Sequence, residues 1–185
     1  MAYIPKNQYQ VLYTNGNEFR LDSTRKPYKG KYLKLQNGKW TGTSTDGVGF
    51  VAACRYIGVE PNGSILRMRG GGSAARAIAA AWAAEGGSII SVEGRRPLVG
   101  GSWDSAIISD GEADLAIDLD ATAGGGESVV LSAKQQVSIS YGEEASKDDF
   151  AVIMVAAQHL EAWRRIFAPE KIEEIPSLGY VLNQL

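Results

Sequence analysis

Six consecutive residues carry the clearest chemical signal in this chain. Gly70-Gly71-Gly72-Ser73-Ala74-Ala75 fit the pattern G-x-G-x-x-A. In that pattern the first glycine makes a tight turn. The second removes a side chain where a pyrophosphate must approach the backbone, and the small third residue lets a helix pack closely on a strand. The amides and dipole of the helix then meet the phosphate charge. The flanks have the required character. Ser64 to Met68 reads as a strand, and Ser73 to Glu85 reads as an alanine-rich helix capped by Ser73 and ended by Gly86-Gly87. Ser88 to Val92 reads as the next strand. An unliganded βα turn can show the same glycines; the strand before and helix after favour a nucleotide.

Charged residues sit where such a ligand would be gripped. Glu93 ends the second strand, 21 residues after Gly72. A carboxylate there accepts hydrogen bonds from an adenosine ribose and repels a 2′-phosphate, which leans the cofactor toward NAD. Arg95 and Arg96 follow at once and could clamp a phosphate, so NADP stays open. Arg67 and Arg69 lie in the first strand, where a buried parallel strand should be apolar. Burying two unpaired guanidiniums is costly, so they are expected to be exposed or ion-paired, or to meet an anion.

The elements needed to position these residues follow in order. Residues 1–42 are rich in Tyr, Lys, Asn and Gln and read as a short β-containing arm or cap. Within it, Tyr32 to Leu35 alternates, and Asn37-Gly38 reads as a hairpin turn into Lys39 to Thr41. Residues 43–185 read as a second unit. Gly47 to Tyr56 has helical apolar spacing through Val48, Val51, Ala52 and Cys54. Further strands are expected at Leu115 to Leu119, Val129 to Ser132 and Val137 to Ser140. Asp148-Asp149 would cap a long helix whose stripe is Val152, Ile153, Ala156, Leu160, Trp163 and Phe167. Strands alternating with helices predict an α/β, Rossmann-like, mostly parallel sheet with helices on both faces.

Composition excludes several classes. The formal net charge of -2 offers nothing to a nucleic-acid backbone. Apolar runs such as Ala77 to Ala84 are too short to span a bilayer. The N-terminal residues carry no signal-peptide pattern, and the cytoplasm is the default expectation. One cysteine, Cys54, and one histidine, His159, argue against a disulfide framework or a metal site built on those residues. Cys54 is expected in the core and His159 on a polar helix face. Asp114, Asp118 and Asp120 would share one strand face, yet strand ends explain them more simply than a metal.

The stretch Gly42-Thr43-Ser44-Thr45-Asp46-Gly47-Val48-Gly49-Phe50 resembles the G-x-N-T-D-G-x-G-F segment of the shikimate dehydrogenases. In order and spacing, Gly70 to Ala77 then resembles that family's G-A-G-G-A-A-R-A loop. Asp120-Ala121-Thr122 resembles the N-A-T of its N-A-T-P motif near the nicotinamide, which implies a cofactor contact for Thr122. Leu160-Glu161-Ala162-Trp163 is similar to its F-E-x-W. The likeness covers about Leu35 to Phe167, the nucleotide-binding half of such enzymes. It implies an oxidoreductase of aromatic amino acid biosynthesis, interconverting 3-dehydroshikimate and shikimate, or acting on quinate, with NADP or NAD. In that chemistry a lysine and an aspartate share the substrate hydroxyls, and Asp46 matches the aspartate. As a residue before a helix, Asp46 would also serve as an N-cap.

Departures from the family are as specific. Only 45 residues precede Asp46, too few for the family's substrate domain with its N-V-T-x-P-x-K lysine, and Ile4-Pro5-Lys6 is a faint echo. Ser44 replaces the family's Asn, and Ala123 replaces the Pro of N-A-T-P. Val155 stands where its substrate-binding Gln is expected, with Gln158 displaced along the same helix. Two functions therefore stand side by side. One is an NAD(P)-dependent dehydrogenase of a small hydroxy acid. It would be completed by the arm, a second copy of the chain or a separate substrate-domain chain. The other is a non-catalytic nucleotide- or metabolite-binding module.

Overall fold

The computed structural model describes residues 31–36, 39–120, 128–140, 146–147 and 149–185. Two strands open it, β1 (Lys31–Gln36) and β2 (Lys39–Ser44), paired antiparallel with Gln36 opposite Lys39. The pairing leaves two residues for the connection, as an Asn-Gly hairpin requires, although Asn37 and Gly38 lie outside the described residues. So do residues 1–30.

The main sheet is built from β3 (Ile65–Arg69), β4 (Ser88–Val92), β5 (Leu115–Asp118) and β6 (Gln135–Val137), all parallel, in the order β4-β3-β5-β6. Ile107 makes one parallel bridge to Ile89 at the outer edge of β4. From there the chain crosses β3 to reach β5, so the strand order reverses between β3 and β5. The expected parallel α/β architecture is what the molecule has.

Three helices pack as a row, with α1 (Asp46–Tyr56) between α2 (Ser73–Ala84) and α3 (Phe150–Ala162). Glycine makes this row possible. A methyl group at Gly47 would overlap the Ala77 carbonyl of α2, and one at Gly49 would overlap the Gln158 side chain of α3. The D-G-x-G spacing thus turns two bare faces of α1 toward its neighbours. Phe50 follows into the core, with ring centroids 6.1 Å from Trp82 and 5.6 Å from Phe150. Trp82 is fully buried and donates its indole N–H to the Ser88 carbonyl at 3.1 Å.

Gly47→Ala is therefore expected to destabilise the chain by about 3 kcal/mol, the upper end of overpacking costs, because the obstructing atom is backbone. At this chain length that corresponds to a fall in Tm of about 6–12 °C in a thermal melt. A shift within 1–2 °C would show that α1 moves off α2 at little cost.

Four local expectations need correction. Gly72, not Ser73, is the N-cap of α2, in extended backbone and without a side-chain cap. Val129 to Ser132 is no strand, and the last strand comes earlier, at Gln135–Val137. The Gln136 side chain explains this: its oxygen accepts Leu131 N–H at 2.9 Å and its amide donates to the Val129 carbonyl at 3.1 Å, satisfying backbone groups without a ladder. On α3 the buried face is Ala151, Ile153, Met154, Ala157, Leu160 and Ala162. At Trp163–Phe167 the helix widens into a π-helical turn, and Trp163 (53% exposed) and Phe167 (38%) pack on each other at 5.5 Å instead of joining that face. Asp149 caps α3 by position, but its carboxylate accepts Ser146 N–H at 2.8 Å, and Asp148 lies outside the described residues.

Candidate functional site

The glycine loop sits at the C-terminal end of β3, beside the point where the strand order reverses. That crevice is where open parallel sheets bind ligands. Gly70 has φ +118°, a backbone conformation that side chains rarely adopt. Gly72 has an ordinary φ of -75°, and a methyl group there would meet nothing within 4 Å. It points into a cavity of about 250 Å³. Gly72 to Ala75 form one wall, and Arg95, Arg96, Leu119 and Asp120 form the other. The first amides of α2 have no intrahelical acceptors to bond, so this wall suits an anion. Two arginines, Arg95 and Arg96, also line the cavity.

The arginines of β3 are engaged elsewhere. Arg69 donates to both oxygens of Asp118, at 3.1 and 3.4 Å, and Arg67 donates to the Gly111 carbonyl at 3.1 Å. The ion-paired expectation holds for Arg69, whereas part-buried Arg67 bonds a backbone carbonyl instead of a charge, and neither residue lines the cavity. The three aspartates do not converge on a metal. Asp114 bonds Lys134 at 2.8 Å and the Ile65 amide at 2.9 Å, Asp118 holds Arg69, and Asp120 holds the Arg95 amide at 2.6 Å. The Lys134 hydrogen bond, then the Ile65 amide, keeps the Asp114 carboxyl below its usual range. Among the described residues no group of three His, Cys, Asp or Glu side chains could hold a metal ion. No helix among them is long and apolar enough to cross a membrane. Cys54 is fully buried, and burial pushes its thiol far above the usual range, which leaves it in the core as expected.

A second constellation forms at the start of α1. Asp46 is the first helical residue, and the N-cap is Thr45. The Asp46 carboxylate accepts the Ser44 hydroxyl at 3.1 Å and the Gln158 side-chain amide at 3.3 Å. Gln158 reaches it because Gly49 leaves room on α1.

Comparisons with known proteins agree with this fold. No protein-family model matches the chain. A shikimate dehydrogenase (NADP(+)) of Rubrobacter xylanophilus is 42% identical over 62 residues, which are 34% of this chain and 22% of that protein. Among solved structures, an Ael1 enzyme from Pseudomonas putida superposes with TM-score 0.60 at 15% identity, covering 83% of this chain and 66% of the other. Shikimate dehydrogenase 1 from Peptoclostridium difficile gives TM-score 0.55 at 14% identity, with coverages of 82% and 65%. Shikimate 5-dehydrogenase from Listeria monocytogenes, solved with shikimate and NAD, gives 0.55 at 16% identity over the same shares. The chain has the fold of these structures, and over 62 residues its sequence is similar to a shikimate dehydrogenase. It spans about two thirds of the solved relatives' length.

Set against that family, the site residues fall into three groups. Gly70 to Ala75 and Arg95 come together around the cavity or its turn. Glu93 follows β4 directly but is exposed and does not line the cavity. Thr122 and Lys6 lie outside the described residues. Gln158 is the residue that motif counting left unassigned. Counting back from Trp163 points to Val155, which instead lines a larger apolar cavity of about 730 Å³ between α3 and the C-terminal turns. That cavity contains neither the glycine loop nor Asp46, and only the smaller one is lined by the glycine loop. Exposed His159 also lines the larger cavity, with Nδ1 2.7 Å from the Val155 carbonyl. The signal that could have found Gln158 is Gly49: a glycine in mid-helix marks where another side chain must pass.

Proposed function

We propose that the chain binds NAD or NADP at the glycine loop and acts as an oxidoreductase of a shikimate-like hydroxy acid. The supporting observation is the open space in front of Gly72, enclosed by the α2 amides on one side and Arg95 and Arg96 on the other. A side chain at position 72 would fill the place a pyrophosphate needs, so the residues present fit the group. Ser73 to Ala75 would hold phosphate oxygens. Glu93 at the end of β4 favours a free ribose, whereas the two arginines lining the cavity favour a 2′-phosphate, so NAD and NADP both remain candidates. When bound, the nicotinamide takes or supplies the hydride.

The chain's own part is orientation and charge. Asp46 accepts a substrate hydroxyl while Gln158 and Ser44 fix its carboxylate rotamer. A carboxylate held in this way accepts the substrate hydroxyl's hydrogen bond and fixes the hydroxyl in place for proton transfer to a base, the geometry that general acid–base catalysis requires. The proton-moving lysine of the family would come from the residue 1–42 arm, a second copy or a separate substrate-domain chain.

Calorimetric titration with NAD, NADH, NADP and NADPH in turn tests the reading. Saturable binding by at least one is the expected outcome and would justify assays with shikimate and quinate. No heat of binding at millimolar ligand would overturn it. Binding without turnover on either acid, with a substrate domain supplied, would favour the second reading, a nucleotide-binding module without catalysis. Val155 in place of the family's Gln, with Gln158 displaced along the helix, is the observation on that side.

A further inference from the structure

One segment crosses the crevice that a dinucleotide would occupy. After β4 the chain runs through Gly94, Arg95, Arg96 and Pro97, over the end of β3, to meet β5's end at Asp120. Arg95 N–H donates to Asp120 Oδ2 at 2.6 Å, and the Arg95 guanidinium lies 3.4 Å from the Asp120 carbonyl and 3.9 Å from Oδ1. Two glycines make the contact possible. A methyl group at Gly94 would overlap Asp120 Oδ2, and one at Gly70 would stand 3.3 Å from Oδ1. On the other side, the carbonyls of Arg96 and Pro97 occupy the space a Gly71 side chain would need. Asp120 is itself held, because its N–H donates to Asp118 Oδ1 at 3.0 Å while Asp118 is paired with Arg69.

The closed arrangement opposes a dinucleotide twice. The cavity of about 250 Å³ is smaller than the roughly 300–1,000 Å³ usual for ligand pockets. A nearly buried carboxylate also stands in its wall, where it repels phosphate and keeps Arg95 turned toward itself. The half-exposed ion pair contributes little alone; the main-chain bond under it holds the segment.

We propose that Asp120 sets what the glycine-loop cavity admits. Its carboxylate latches the Gly94 to Pro97 segment across the crevice, and a dinucleotide enters as Arg95 exchanges Asp120 for the pyrophosphate. This rests on the nucleotide-binding reading above. Asp120→Asn keeps the shape and an acceptor for Arg95 N–H but removes the charge. Asp120→Ala removes the latch as well.

The test is calorimetric titration of wild type and both variants with NAD and NADP, with circular dichroism and a thermal melt as fold controls. About tenfold tighter binding is expected for Asp120→Asn, and at least as much for Asp120→Ala. Damage to the fold weakens binding, so a gain in affinity has a sign that disruption does not produce. On the wild-type chain, hydrogen exchange at the Arg95 amide should quicken on saturation with NADP while Ser73 to Ala75 slow. That measurement decides the matter should a variant not fold. Equal or weaker binding by folded variants, or an Arg95 amide that stays protected in the complex, overturns the latch and leaves the cofactor reading standing. Absence of binding by wild type and variants alike removes both.

Discussion

Gly72→Trp is expected to abolish dinucleotide binding with the fold intact. Position 72 has φ -75°, which any residue adopts, and open space in front of its Cα. Gly72 already serves as an N-cap without a side-chain bond, so little helix stability is lost. An indole there would fill the cavity and cover the α2 amides. A rise in Kd of at least about a hundredfold, about 2.7 kcal/mol, is the expected result by calorimetry. Circular dichroism and the thermal midpoint should stay near wild type. The neighbouring Gly71→Ala makes the contrast. Its methyl would overlap the carbonyls of Arg96 and Pro97, so stability as well as binding should fall. Unchanged affinity in folded Gly72→Trp would remove the glycine loop from the function.

Asp46→Asn is expected to leave dinucleotide affinity unchanged and to lower turnover by about 10²–10⁴-fold, the usual worth of a positioned acid–base group. The substitution is nearly isosteric. Its Oδ1 can still accept from Gln158 at the present 3.3 Å, so the loss would report charge at the substrate hydroxyl rather than collapse of the α1–α3 contact. The measurement is the steady-state rate with shikimate and whichever dinucleotide binds, in the presence of the lysine-bearing partner. Activity within a few-fold of wild type would take Asp46 out of the chemistry and leave it as a packing residue at the head of α1.

Much of this molecule is legible in the residue order because its determinants are local. A strand, three glycines, an alanine-rich helix and a second strand specify a parallel βαβ unit through turn geometry and close packing. The Tyr32 to Leu35 alternation and the Asn-Gly pair likewise mark a hairpin whose partners are a few residues apart. Elements whose backbone is satisfied by side chains, or whose helix widens, are not legible in this way. Gln136 takes the Val129 to Leu131 segment out of the sheet. The π-helical turn at Trp163–Phe167 shifts which side of the late helix is buried.

The sequence by itself determined the parallel α/β unit, the glycine loop and the candidacy of Asp46, since each rests on contiguous residues with one geometric solution. Tertiary structure alone decided who meets whom across long separations. It put Gln158 on Asp46, 112 residues away, where a bare glycine face lets two helices approach. It moved Glu93 out of the cavity and Arg96 into its wall. It also drew Arg95 onto Asp120, 25 residues on, because parallel strands remote in sequence end side by side, and only at that shared end do their loops compete for the same space.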